Sequence, residues 1–251
     1  MPTDELKSEL RCWVSLNNRR GDYFILRRPF LLFALLALIA INIAMAAVGV
    51  ARHPAFFGHP GARALVLELI CVLLAYAVVV LFLARTHGRY WNSILRAAMI
   101  FGILTGAFEA VNIGIENDIP LAVHSPVLPI GFMLVMFTTW GIAGFRSACS
   151  LRSIRAGLLA AGFSAGICML IGVAVGFSVE LFLAPPEPTY VSTWAEFRRS
   201  GWADPRAFGA ANTLDSGLTH LVVAPIVGLF FGALASLLAQ LRPPRTGTIS
   251  A

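Results

Sequence analysis

The chain has 251 residues, of which 58% are hydrophobic and 13% charged, and its formal net charge is +6. A water-soluble domain carries about a quarter charged residues, so the composition excludes an ordinary soluble enzyme and points to an all-α membrane protein. The basic residues sit beside apolar runs, which fits topology and anionic lipid headgroups and argues against nucleic acid as a partner.

Residues 1–28 precede the first apolar run. In "TDELKSELRCWVSL", Leu6, Leu10, Trp13 and Val14 share one helical face flanked by Lys7 and Arg11. Thr3 serves as N-cap, with Asp4 and Glu5 in the positive first turn. This cytoplasmic amphipathic segment predicts a helix lying on the inner leaflet or, as the alternative, docking a partner subunit. It is too long for the charged part of a signal peptide, and the run behind it has the length of a span.

Six stretches reach the roughly 20 apolar residues that cross a hydrocarbon core: 29–50, 63–84, 93–115, 126–145, 155–183 and 216–241. They form one transmembrane domain over 29–241, followed by a tail at 242–251. Fourteen Lys and Arg residues lie on the side of the chain ends and five, Arg52, Arg63, Arg198, Arg199 and Arg206, on the other. The positive-inside rule therefore puts both termini in the cytoplasm of a bacterial inner membrane.

Three features concern packing. Gly102/Gly106, Gly162/Gly166, Gly172/Gly176 and Gly228/Gly232 are GxxxG pairs that let helix backbones approach closely. Pro225 lies within the sixth span and removes a helical hydrogen bond there, with a kink expected. Cys12, Cys71, Cys149 and Cys168 form no CxxC pair; no disulfide is expected, and Cys71 and Cys168 read as buried apolar groups.

The connection 184–215 is long and not of low complexity. Thr193 with Glu196 has capping-box spacing, and Asp204 before Pro205 reads as an N-cap with proline at the first helical position. Two short outer helices are expected, with Tyr190, Trp194 and Trp202 in the headgroup layer. They would form a lid or a partner surface.

The polar residues within the spans are unevenly placed. Glu109, Asn112 and Glu116 share a face at i, i+3, i+7, in the outer third of the third span. Glu68, Glu180, Asp215 and His220 recur at similar depth, and Asn42 lies past the middle of the first span. The inner halves hold no carboxylate. A carboxylate within a span costs about 2.5–3.5 kcal/mol unless it faces a cavity or partner. The pattern predicts an outward-facing acidic pocket among the second, third, fifth and sixth spans, with Glu109 as a candidate proton carrier. The alternative for Glu68, Glu116 and Glu180 is an interfacial role, snorkelling or pairing with Arg63, Arg198 or Arg199. His220 follows Asp215 by five residues, so a regular helix keeps the two apart.

His53, His59 and His124 are placed in outer loops as solvated residues. No tight His spacing calls for a metal, and no motif calls for a cofactor. EExxxR, CxxCH and Walker patterns are all missing. The layout of six spans, an amphipathic N-terminal helix and two short outer helices before the last span is broadly similar to type-2 ABC permease subunits. The resemblance is one of architecture, and the second connection, "ARTHGRYWNSILR", is shorter than theirs. It implies a permease- or transporter-like subunit with a partner at the N-terminal helix and basic inner loops. A membrane enzyme acting on a lipid-linked substrate, a scaffold for other subunits, and self-association into a homo-oligomer are the other expectations.

Overall fold

Apolar chain in a bilayer has no water to satisfy its backbone, so each crossing must close its own hydrogen bonds as helix. The computed structural model describes residues 28–86, 88–118, 127–179 and 195–241. The N-terminal segment with Leu6 and Trp13, His124, Glu180, Tyr190, Thr193, Trp194 and the tail lie outside the described residues, as does the side chain of Glu116.

Among these residues, eight helical elements follow in order: α1 (Arg28–Arg52), a short 3-10 helix (Pro54–Gly58), α2 (Ala62–Arg85), α3 (Arg89–Asp118), α4 (Val127–Leu151), α5 (Ile154–Ser178), α6 (Ala195–Ser200) and α7 (Pro205–Gln240). Six of them are long and apolar enough to span a membrane, so the protein is an all-α, multi-pass membrane protein. Consecutive spans alternate in direction. The turns around 53–61 and 201–204 thus share one end, termed distal below, and the turns at 86–88 and 152–153 share the proximal end.

α5 is the hub. Of its most apolar stretch 72% is buried, against 17% for the peripheral α2. The reason is its run of small residues. A Cβ on Gly102 of α3 would lie 2.8 Å from Ile167, and one on Gly106 would lie 2.7 Å from Ile171. On the other flank, a Cβ on Gly228 of α7 would lie 2.7 Å from Ala165 Cβ, and one on Gly232 equally close to Ala161. A Cβ on Gly157 would overlap the Ser236 hydroxyl. Three of the four GxxxG pairs therefore have close-approach partners; in the fourth, Gly176 has open space beside it while Gly172 does not.

Polar side chains tie the outer helices to this hub. Asn42, fully buried in α1, donates to the carbonyls of Leu38 and Leu170, each at 2.9 Å. Tyr76 of α2 donates to the Leu221 carbonyl of α7 at 2.7 Å. Cys168 is buried as expected, but Cys71 faces outward from the thinly covered α2.

The proximal turn between α4 and α5 is closed tightly. Arg152 takes a left-handed φ of 48°, and the Ser153 N–H reaches back to the Ala148 carbonyl at 3.3 Å, a Schellman-type ending. Ser153 then caps α5 by accepting from the Ala156 N–H.

At the distal end, Asp204 does cap a helix: its carboxylate accepts from the Arg206 N–H at 3.0 Å, with Pro205 at the first position. That helix does not stop before the span. It continues unbroken for 36 residues, about 54 Å at 1.5 Å per residue. Of the two expected outer helices, only α6 is separate; the other is the first three turns of α7. Trp202 is not simply interfacial either. It packs 5.6 Å from the fully buried Phe56 ring and stacks on His59 at 4.4 Å with an interplanar angle of 9°.

Candidate functional site

α3 brings Glu109 and Asn112 to the wall of a cavity of about 660 Å³ in the distal half of the bundle. The Asn112 amide nitrogen donates to Glu109 Oε2 at 3.4 Å. Because a carboxylate only accepts, this contact also sets which way the amide faces. Gly172 of α5 makes room for the glutamate: a Cβ there would lie 3.1 Å from Glu109 Cγ. The glutamate stem therefore lies across a glycine at the α3–α5 contact, a place that a larger residue would close.

α4 supplies the apolar wall, from Pro129 through Phe132, Met136 and Phe137 to Trp140. At 1.5 Å per residue this wall runs about 16 Å along the bundle. Trp140 closes it at the inner end and is only 1% exposed. From α7 come Asn212, Thr213, Ser216, Thr219 and His220, which recur along one helical face and line the opposite wall. His220 Nδ1 lies 2.7 Å from the Ser216 carbonyl, which can only accept, so Nδ1 carries the proton and Nε2 is left as acceptor.

Two buried polar atoms of residues lining this cavity have no hydrogen-bond partner among the described residues: Asn112 Oδ1 and Trp140 Nε1. A buried polar group without a partner costs about 1–3 kcal/mol; both atoms are closed to solvent, so neither faces the open part of the cavity.

The structure sorts the sequence candidates as follows. Glu109, Asn112 and His220 line one cavity. Asp215 is exposed and is not among the lining residues, because in a regular α7 it faces away from His220. Glu68 is exposed on α2, which lies at the edge of the bundle and forms no part of the cavity wall. The second span is thus replaced by the fourth in the pocket expected from sequence. Glu116 lies on the same helix as Glu109, one turn beyond the cavity-lining Ile113, with its side chain outside the described set, and Glu180 lies outside it altogether.

Sequence reasoning missed the α4 wall and the polar first turns of α7. The α4 residues carry no charge to attract attention. The α7 residues had a usable signal, polar groups at 212, 213, 216 and 219–220 on one helical face, hidden by assigning 184–215 to a connection.

Proximal to this cavity, α4, α5 and α7 meet along a small-residue seam. A Cβ on Gly144 of α4 would lie 3.0 Å from the Gly232 Cα and 3.1 Å from the Gly157 carbonyl, so three helices meet almost backbone to backbone.

The distal histidines are partly structural. The Gly61 N–H donates to His59 Nδ1 at 3.2 Å, which leaves Nε2 to carry the proton toward the Ser200 carbonyl at 3.3 Å. His59 thereby joins the α1–α2 turn to the α6–α7 turn. Burial lowers the pKa of His53 below its ordinary value; Asp204 opposes the shift, and Arg206 and Arg52 add to it. No group of three or more His, Cys, Asp or Glu side chains gathers as metal ligands among the described residues. Comparison with family models, with curated proteins and with solved structures finds no match to this chain.

Proposed function

We propose that this protein is a permease-like component of the membrane, and that its distal cavity is the pocket into which substrate is taken. The observation that carries this reading is an asymmetry within one bundle. The distal half holds a cavity of about 660 Å³ with a carboxylate, amides and hydroxyls on its walls, within the range of 300–1,000 Å³ that small-molecule sites occupy. On its proximal side α4, α5 and α7 close on one another through glycine and alanine contacts, while the cavity of about 460 Å³ that lies between α2, α3, α5 and α7 is lined almost wholly by apolar residues. A distal cavity closed on its proximal side by thin, side-chain-poor packing fits one conformer of an alternating-access cycle. Small sliding of packed helices is enough to interconvert two such states. The basic connections around Arg85–Arg96 and Arg146–Arg155 form the partner surface of this proposal, on the side the Lys and Arg count places in the cytoplasm.

Two cysteine probes test it, each in a background with the four native cysteines replaced. Met136→Cys, in the cavity wall, should react with a membrane-impermeant thiol reagent from the distal side. Ser236→Cys is nearly isosteric and fully buried in the proximal seam against Gly157. A cycling permease exposes it intermittently, so it should react slowly from the proximal side. A Ser236→Cys protein that stays unlabelled from the proximal side while Met136→Cys reacts would describe a fixed pocket, and the transport reading would fall.

A further inference from the structure

The walls of the distal cavity differ in chemistry, and the difference selects a class of ligand. Among the described residues that line it, Glu109 is the only carboxylate and there is no lysine or arginine. Its other walls are aromatic and thioether-rich: Phe132, Phe137, Trp140 and Phe177, with Met133, Met136 and Met169. Phe132 also pairs with Phe108 of α3 at 4.5 Å, and Phe137 stacks on Phe231 of α7 at 4.9 Å, so two of these rings are held in place by neighbours.

We propose that the ligand of this cavity is an organic cation with an aromatic or otherwise apolar body, bound with its charge toward Glu109. The inference rests on the reading of the cavity as the substrate pocket and adds its chemical class. Three properties support it. A carboxylate on a cavity wall that is otherwise mostly apolar favours a positive ligand and disfavours an anion. Ring faces attract cations within about 6 Å of their centroids, most strongly where water is excluded. Methionine side chains adapt to apolar bodies of varied shape. His220, on the α7 wall and bonded through Nδ1 to the Ser216 carbonyl, presents Nε2 as a further acceptor while neutral.

Full-length protein in zwitterionic nanodiscs, with empty nanodiscs subtracted, provides the test. The probes are tetraphenylphosphonium and tetraphenylborate, ions of nearly the same shape and opposite charge. The expected result is saturable tetraphenylphosphonium binding, weakened by about tenfold or more in Glu109→Gln and largely kept in Glu109→Asp, which retains the charge. Tetraphenylborate should show no saturable binding. Retention in Glu109→Asp separates loss of charge from loss of fold. Equal binding of the two ions, or tetraphenylphosphonium binding unchanged in Glu109→Gln, overturns the cation assignment and leaves the cavity as a pocket. No saturable binding of the cation, in a protein whose Met136→Cys form labels from the distal side, also overturns it. If Met136→Cys is closed to reagent from both sides, the pocket reading itself fails first.

Discussion

The Tyr76 hydroxyl donates to the carbonyl of Leu221 at 2.7 Å, and that carbonyl is the one whose helical partner would be the missing N–H of Pro225. Proline at position i deprives the carbonyl at i−4, and here a tyrosine from a neighbouring span replaces the lost donor. The proline is thus accommodated by tertiary structure, and α2, which buries little surface, gains a polar attachment to α7. Tyr76→Phe should destabilise the protein by about 1–2 kcal/mol. Pro225→Ala restores the helical N–H, so adding it should reduce the cost of Tyr76→Phe. Unfolding of the two single variants and the double variant in nanodiscs measures that coupling; costs that simply add would show that Tyr76 does not serve this carbonyl.

The seam between α5 and α7 predicts two opposite responses to the same change. Gly228→Ala places a methyl group 2.7 Å from Ala165 Cβ and 2.9 Å from the Ala161 carbonyl, so it should cost about 1–3 kcal/mol through forced separation of the helices. Gly176→Ala meets nothing within 4 Å and should be neutral or stabilising by up to about 1 kcal/mol. Thermal unfolding of the two variants separates a close-packed glycine from one that merely has GxxxG spacing.

Acid should weaken the distal turn through His53. Its folded pKa lies below the ordinary 6.5 because burial disfavours the charged ring, while Asp204 partly opposes this. The unfolded chain therefore takes up the proton first as pH falls, and its contribution to stability is present above 6.5 and is lost as pH falls through the lower, folded value. His53→Asn should flatten that part of the stability profile. Melting temperatures between pH 7.5 and pH 5 check it; an identical slope in wild type and variant would remove His53 from the account.

The spans were legible because bilayer thickness converts directly into a length of apolar sequence, and five of the six lie within a few residues of expectation at most ends. The sixth was not, since Asp204–Pro205 signals a helix start correctly but nothing local says where that helix ends. Only the buried face formed by Ala207, Phe208, Ala210, Ala211 and Leu214 reveals that its first turns are packed against the protein. Glu109 with Asn112 was legible from cost and spacing. Glu68 has a comparable depth yet faces outward, because depth can be counted along a sequence while the facing of a peripheral helix is decided by its neighbours. Trp140 illustrates the converse: an apolar-looking residue comes to line the cavity only when α4 is brought beside α5 and α7. Asn42 had the depth of a site residue and proves to be a tie between α1 and α5.

Substitutions at Glu109 should separate charge from packing. Glu109→Gln keeps an acceptor for the Asn112 amide nitrogen and should fold with wild-type stability while losing the proposed transport. Glu109→Leu leaves that buried donor unbonded and should additionally cost about 1–2 kcal/mol. Unfolding measured beside an activity assay distinguishes the two; equal destabilisation by Gln and Leu would mean that the Asn112 contact contributes nothing.

The central claim is that Glu109 faces a water-filled cavity, and neighbouring positions on the same helix test it most directly. Val111 is 57% exposed on the outer surface of α3, which in a bilayer is the lipid-facing side, whereas position 109 opens into the cavity. In the cysteine-free background, Glu109→Cys and Val111→Cys are treated with a membrane-impermeant thiol reagent from the distal side. The account predicts rapid labelling at 109 and little at 111, with labelling at 109 slowed by an organic cation that occupies the cavity. Equal labelling at the two positions, or none at 109, would contradict it.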